Sequence, residues 1–241
     1  MNRPGPAPRT PAMTSGALDT YAAALDAAVD PGSADDWFTR TQDGARHPLG
    51  ADLRRWCAPA DRVDRELLQH CPGAVLDVGC GPGRLVAELA RQGRHGAGVD
   101  SSAAAVDIAR AAGGPVLHRS LFDPVPGEGR WDSVVLADGN IGIGGDPVAL
   151  LARCGELIAP DGRVVVELSP PGTGRRIARV RLERDGLHGD WFDWALVGTD
   201  AAHETAAAAD LVVAELWRDG DRWFASLVRL EAAAGDLDLA S

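Results

Sequence analysis

Residues 75–85 read VLDVGCGPGRL, and the segment that follows closes on GVD at Gly98–Asp100. Val75 to Val78 is an apolar, strand-like run. It meets three glycines at alternate positions, Gly79, Gly81 and Gly83, which lack a Cβ and so admit positive φ and a close approach of backbone to a ligand. A helix is expected from about Gly83 to Gln92, with Leu85, Val86, Leu89 and Ala90 on the face that packs back onto a sheet. Asp100 ends the next strand, at the carboxyl edge where open α/β sheets bind ligands. A carboxylate there can accept hydrogen bonds from both hydroxyls of a ribose. Two walls of a nucleoside pocket are thus assigned. The dinucleotide fingerprint G-x-G-x-x-G needs glycine where this chain has Arg84, so the pattern is G-x-G-x-G and a nicotinamide cofactor loses ground.

The stretch resembles motif I of the class I S-adenosylmethionine-dependent methyltransferases, roughly (V/L)-L-D-(V/I)-G-C-G-P-G. The resemblance implies S-adenosyl-L-methionine as cofactor and donor. Carried over by residue, Asp77 steadies the loop and the donor's amino group, Gly79, Cys80 and Gly81 line its methionine part, and Asp100 holds the ribose. Ser101 either contacts the adenosine or caps the next helix. Many family members carry an acid after the third strand for the adenine amino group, and the aligned position here is Ser120. Ser120 or a backbone group then replaces the acid, Leu121 and Phe122 flank the ring, and Asp123 is an alternative acceptor, with Leu121 favoured as the direct contact. After the fourth strand comes DGNIGIGGD, Asp138–Asp146, where the family places donor methionine and methyl acceptor. Asp138 and Asn140 are its polar groups nearest the transferring centre, and Asp138 also counts as donor-binding. Asp146 caps the helix that starts at Pro147. Glu167, near the end of the fifth strand, is a general-base candidate facing the acceptor crevice, with pairing to an arginine as the structural alternative. His47, beside Pro48, is the histidine candidate. Arg55 and Trp56 resemble an actinobacterial group of such enzymes with small-molecule acceptors.

The 241 residues carry a net charge of −11, and all 24 basic residues are arginine. That acidity argues against nucleic acid as acceptor, and the absence of lysine removes a Schiff base or a Walker-type phosphate loop. Cys57, Cys71, Cys80 and Cys154 form no C-x-x-C pair and lie beside no histidine cluster, so no metal site and no disulfide framework is expected. Neither a signal peptide nor a membrane span is read, and a cytoplasmic monomer or homodimer acting on a small molecule is the expectation.

Residues 1–16 read as a disordered tail, 17–72 as a helical lid, and 73–241 as the core. Within the lid, helices are expected at Ala17–Val29, Ala34–Thr41 and Asp61–His70. Core strands are expected near Ala74–Val78, Ala97–Asp100, Val116–His118, Ser133–Ala137 and Val164–Leu168, with helices at Ala103–Ala111, Pro147–Ile158 and Ala201–Ala209. Leu211–Trp217 and Trp223–Leu230 flank a DGD turn as a terminal hairpin. Ala178, Val180 and Leu182 alternate with Arg179, Arg181 and Glu183, while Phe192, Trp194 and Leu196 alternate with Asp193 and Ala195. That period of two predicts a β-hairpin inserted at about 173–198, on the acceptor side; Arg175, Arg176 or Arg179 could clamp a carboxylate acceptor. The fold expected is α/β: a seven-stranded, mostly parallel, doubly wound sheet with an antiparallel last strand, an N-terminal helical lid and the inserted hairpin. The function expected is methyl transfer to oxygen or nitrogen of a small molecule. A donor-binding protein without methyl transfer is the alternative, and an NAD-dependent oxidoreductase the weaker rival.

Overall fold

The structure is a computed structural model that describes residues 13–28 and 32–230. The chain runs α1 (Ser15–Ala28), β1 (Phe38–Thr41), β2 (Arg46–Pro48), α2 (Gly50–Cys57), α3 (Arg62–Gln69), β3 (Val75–Val78), α4 (Arg84–Arg91), β4 (Gly96–Asp100), α5 (Ala103–Ala111) and β5 (Val116–His118). It continues through β6 (Trp131–Leu136), α6 (Pro147–Leu157), β7 (Ile158–Leu168), β8 (Arg175–Arg184), β9 (Leu187–His188), β10 (Phe192–Val197), α7 (Ala202–Ala207), β11 (Leu211–Asp219) and β12 (Arg222–Arg229).

Seven strands form the main sheet in the order β11-β12-β7-β6-β3-β4-β5. The five strands from β7 to β5 are mutually parallel, and β12 enters antiparallel beside β7. Alternation along each strand divides the core in two. Leu76, Val134, Val164 and Val166 face one way, into a cluster with Leu150 and Leu157 of α6. Val75, Val135 and Val165 face the other, against Leu67 and Leu68 of α3 and Leu89 of α4. Each fully buried leucine or valine contributes roughly 1.5–3 kcal/mol. The helix starts are fixed by their caps. Asp61 and Asp64 form a reciprocal capping box on α3, and Asp146 accepts the Ala149 N–H at 3.0 Å ahead of Pro147 on α6, as expected for Asp146.

Gly83 is the residue on which α4 turns away from the loop. Its φ is +85°, and a Cβ added there would stand 2.6 Å from the Ala109 Cβ of α5. Gly83→Ala therefore incurs both left-handed strain and a clash, and we expect a loss of about 1–3 kcal/mol. A thermal melt checks this: the midpoint should fall by several degrees, and an unchanged midpoint would contradict the packing described.

The inserted hairpin is present as β8 and β10, antiparallel with Val180 opposite Phe192 and Ala178 opposite Trp194. The lid departs from expectation. Ala34–Thr41 is not a helix: a short 3-10 turn at Ser33–Asp36 leads into β1. All four of its residues, FTRT, are half-buried, and Thr39 pairs Leu182 and Thr41 pairs Val180 of β8. A strand edge offered by a distant segment has overridden the local helical reading. The order β10-β8-β1-β2, with β9 beside β8, makes a second, antiparallel sheet shared between lid and insertion. It packs on α1 through Leu25, Trp37, Leu53, Val180 and Leu182.

The expected tail, 1–16, falls mainly outside the described residues, and Ser15 and Gly16 already belong to α1. Val29 and residues 231–241 also lie outside them. No helix among the described residues is long and apolar enough to cross a membrane.

Candidate active site

The carboxyl edge of the main sheet and the inner face of the second sheet enclose a cavity of about 500 Å³. The glycine loop forms its floor. Gly79, Gly81 and Gly83 have φ of +68°, +51° and +85°, so the sequence signal and the backbone agree. A Cβ on Gly79 would lie 2.8 Å from Asn140 Nδ2. That nitrogen donates to the carbonyls of Val78 at 2.9 Å and Gly79 at 2.8 Å. Asn140 thus fixes the loop with its amide nitrogen, while the side chain still borders the cavity.

Asp100 binds backbone with both carboxylate oxygens, the Gly81 N–H at 2.9 Å and the Ser102 N–H at 2.7 Å. Asp100 borders the cavity, and burial raises its carboxyl pKa against the opposing pull of those N–H groups. Ser102, not Ser101, caps α5, by accepting the Ala105 N–H. Ser101 is thereby left lining the cavity.

Asp77 is 3 % exposed and borders the same cavity. Its carboxylate accepts no hydrogen bond from any described residue. Burial, then the charges of Asp138 and Asp100, hold its pKa well above the ordinary carboxylate value. A buried carboxylate without a donor is costly unless a cationic or N–H-bearing ligand completes it.

Cys80 lines the cavity, and its Sγ sits 2.5 Å from where a Cβ on Gly98 would be. Burial pushes this thiol up, and likewise Cys71 and Cys154, each to about 12. All four cysteines are unpaired thiols. At the far end of the cavity Ser120, Leu121 and Phe122 line the wall. The Ser120 hydroxyl accepts the Phe122 N–H at 3.2 Å, so it shapes the turn as well as facing the space. Asp123 does not line the cavity; its carbonyl accepts from Arg153 at 3.1 Å.

Both candidate catalytic carboxylates are engaged in ion pairs. Glu167 does not border the cavity. Its oxygens bind Arg222 at 2.8 and 2.7 Å and accept the Asp138 N–H at 2.6 Å, which is the arginine pairing read from the sequence as the structural alternative. Asp138 does border the cavity, at φ +56°, but its carboxylate is held by Arg84 at 2.6 Å, Arg55 at 2.8 Å and Arg222 at 3.4 Å. Asp64, fully buried, joins Arg84 to Arg222 from below. Three guanidinium groups and three carboxylates thereby connect α2, α3, α4, β7, β12 and the loop after β6. His47, on β2, is exposed and borders the cavity mouth.

Tyr21 was not singled out from the sequence. The chain's single tyrosine, it projects from the alanine-rich α1 into the cavity, edge-on to Trp56 with ring centroids 6.2 Å apart. A Cβ on Gly81 would come within 3.2 Å of its hydroxyl. Burial raises its pKa well above the usual phenol value, so it is a hydrogen-bond donor at neutral pH. The signal available was a lone aromatic alcohol in an otherwise featureless helix. Arg84 was legible only as a departure from the dinucleotide pattern; its partners Asp64 and Asp138 lie 20 and 54 residues away.

A doubly wound sheet with an antiparallel insertion beside its fifth parallel strand, and a glycine loop and a carboxylate at the carboxyl edge of adjacent strands, is the fold of class I methyltransferases. Residues 51–199 match the family model described as a methyltransferase domain, and the chain belongs to that family. Among solved structures, a SAM-dependent methyltransferase from Bacteroides fragilis, in complex with S-adenosyl-L-homocysteine, is similar at TM-score 0.74 and 20% identity, over 90% of this chain and 98% of that one. A 1,6-didemethyltoxoflavin-N1-methyltransferase from Burkholderia thailandensis aligns at TM-score 0.56 and 20% identity, over 95% and 92%. A sugar N-methyltransferase from Streptoalloteichus gives 0.53 and 24%, over 74% and 92%. A sequence comparison with curated proteins found no match.

Proposed function

We propose that this protein transfers a methyl group from S-adenosylmethionine to an oxygen or nitrogen atom of a small molecule. The observation that carries the reading is Asp77, a buried carboxylate that accepts no hydrogen bond from any described residue, beside a glycine loop that a Cβ would obstruct and in the same cavity as Asp100. Asp77 would receive the donor's ammonium group, Gly79 to Gly81 its methionine chain, and Asp100 its ribose. Ser101, Ser120 and Leu121 would surround the adenine. S-adenosylmethionine, when bound, supplies a methyl carbon whose bond to sulfur breaks with its electron pair returning to sulfur as the acceptor atom bonds the carbon.

The chain's own work is to hold the two partners in line and keep water out. Tyr21 closes over the glycine loop from α1, and Asn140 keeps the loop in register. Asp138, fixed by three arginines, sets the wall between donor and acceptor. His47 is the imidazole available at the mouth to take the acceptor's proton. Isothermal titration with S-adenosylmethionine and S-adenosylhomocysteine tests the reading: binding of both is expected, and folded protein that binds neither would sink it. Tyr21→Phe should raise the KM for the donor about two- to tenfold, the range of one neutral hydrogen bond, with kcat changed less.

Donor binding without transfer is the second reading, favoured by the engagement of both candidate carboxylates, Asp138 and Glu167, in ion pairs. Accumulation of S-adenosylhomocysteine with a methylated acceptor in a small-molecule extract separates the two.

A further inference from the structure

The cavity is divided by charge. Its carboxylates and guanidinium groups, Asp77, Arg84, Asp100, Arg119 and Asp138, all stand on the main-sheet side, and His47 is the titratable side chain that the second sheet contributes. The second sheet contributes Thr39, Val180, Leu182, Phe192, Trp194 and Leu196, among others, and among the described residues that line the cavity from this sheet none is a carboxylate or guanidinium. Strand alternation explains it. Val180 and Leu182 point inward, so Arg179 and Arg181 point out, where they meet Asp193 at 4.0 Å and Glu183 at 3.0 Å. Arg175, likewise outward, lies 3.5 Å from Glu204. Arg176 has the inward parity but is exposed at the strand's beginning, outside the lining. The carboxylate clamp expected from these arginines is therefore not built into the cavity.

We propose that the methyl acceptor is an uncharged, ring-bearing molecule seated on the inner face of the second sheet. The inference rests on the methyltransferase reading, and it narrows the acceptor to a class. An anion seated there would lose its water against Val180, Leu182 and Phe192 with no guanidinium on that face to receive it, since Arg84 is held by Asp64 and Asp138 and Arg119 stands on the main-sheet side. A protonated amine would face the same loss beside the donor's positive sulfonium, and its nitrogen lone pair would be occupied by the proton. An uncharged ring meets Phe192 and Trp194, whose own rings lie 6.2 Å apart and nearly perpendicular. One neutral anchor is present. The Thr39 hydroxyl borders the cavity and makes no hydrogen bond to any described residue, whereas that of Thr41 is engaged by Asp43 and Ala45. His47 is directly opposite Thr39 across the β1–β2 pair, so an acceptor hydroxyl or ring nitrogen placed there has both a partner and a route for its proton.

Three probes of one shape test this: 2-naphthol, 2-naphthoate and 2-naphthylmethylammonium, each titrated at neutral pH into the full chain saturated with S-adenosylhomocysteine. We expect 2-naphthol to bind at least tenfold more tightly than either ion, and Thr39→Lys, at a half-buried position, to shift the preference toward 2-naphthoate. Saturation by S-adenosylhomocysteine with no binding of 2-naphthol, or with an ion bound as tightly, overturns the acceptor class and leaves the methyltransferase reading standing. Failure of S-adenosylhomocysteine to bind overturns that reading, and the acceptor class with it.

Discussion

Asp77→Asn is expected to make the ligand-free protein more stable and the protein a far poorer binder of its donor. The carboxylate is buried without a hydrogen-bond donor, and its pKa is raised by burial first and by Asp138 and Asp100 second. The folded state therefore holds this proton to higher pH than the unfolded chain does. Above the ordinary carboxylate value of 3.8, stability falls as pH rises, because folding must either keep the proton or bury the charge. Asparagine has the same shape and no charge, so relief of about 1–3 kcal/mol is expected at neutral pH, together with a flatter dependence of the melting temperature on pH. Loss of a charge-assisted hydrogen bond to the donor's ammonium should weaken its affinity about 10- to 100-fold. Thermal melts across pH and titration with S-adenosylhomocysteine measure the two halves. A variant that melts lower and binds as well as the parent would refute the role given to Asp77.

Asp64→Asn should instead unfold the protein readily. Asp64 is fully buried and receives Arg84 and Arg222, whose side chains are themselves 3% and 14% exposed. Removing its charge leaves two guanidinium groups inside the protein with one carboxylate fewer. Breaking one partner of such a buried set costs about 3–5 kcal/mol. For a chain of this size that corresponds to a fall of roughly 6–20 °C in Tm. Arg84 and Arg222 also hold Asp138, so donor affinity should drop along with stability. The glycine loop has its own fixings, Asn140 and Asp100, and a double variant Asp64→Asn, Arg84→Met should recover part of the loss by removing the excess positive charge while Asp138 keeps Arg55 and Arg222. A Tm within 2 °C of the parent for Asp64→Asn would show that the network contributes little.

The donor half was legible because its causes are local. Gly79, Gly81 and Gly83 are spaced within five residues, and Asp100 follows at the end of the next strand; turn geometry and strand end are properties of short segments. The terminal hairpin was legible through the DGD turn between its two strands, and the inserted one through its period of two. What sequence could not carry is which distant segments meet. Phe38–Thr41 resembles a helix end until β8 supplies a pairing edge some 140 residues later, and Glu167 reads as a free base until Arg222 is placed beside it. Tyr21 offered only its uniqueness, since nothing in an alanine-rich helix says that its hydroxyl will overhang Gly81.

The second sheet also bears on the order in which the molecule assembles. Thr39 pairs Leu182 and Thr41 pairs Val180, whereas the glycine loop and Asp100 lie on adjacent strands. Pairing across so long a separation is entropically expensive until much of the chain is already compact. The half that carries the glycine loop can therefore consolidate early, while the second sheet closes last, and hydrogen exchange during refolding should show protection in β3 and β4 before β1 and β8.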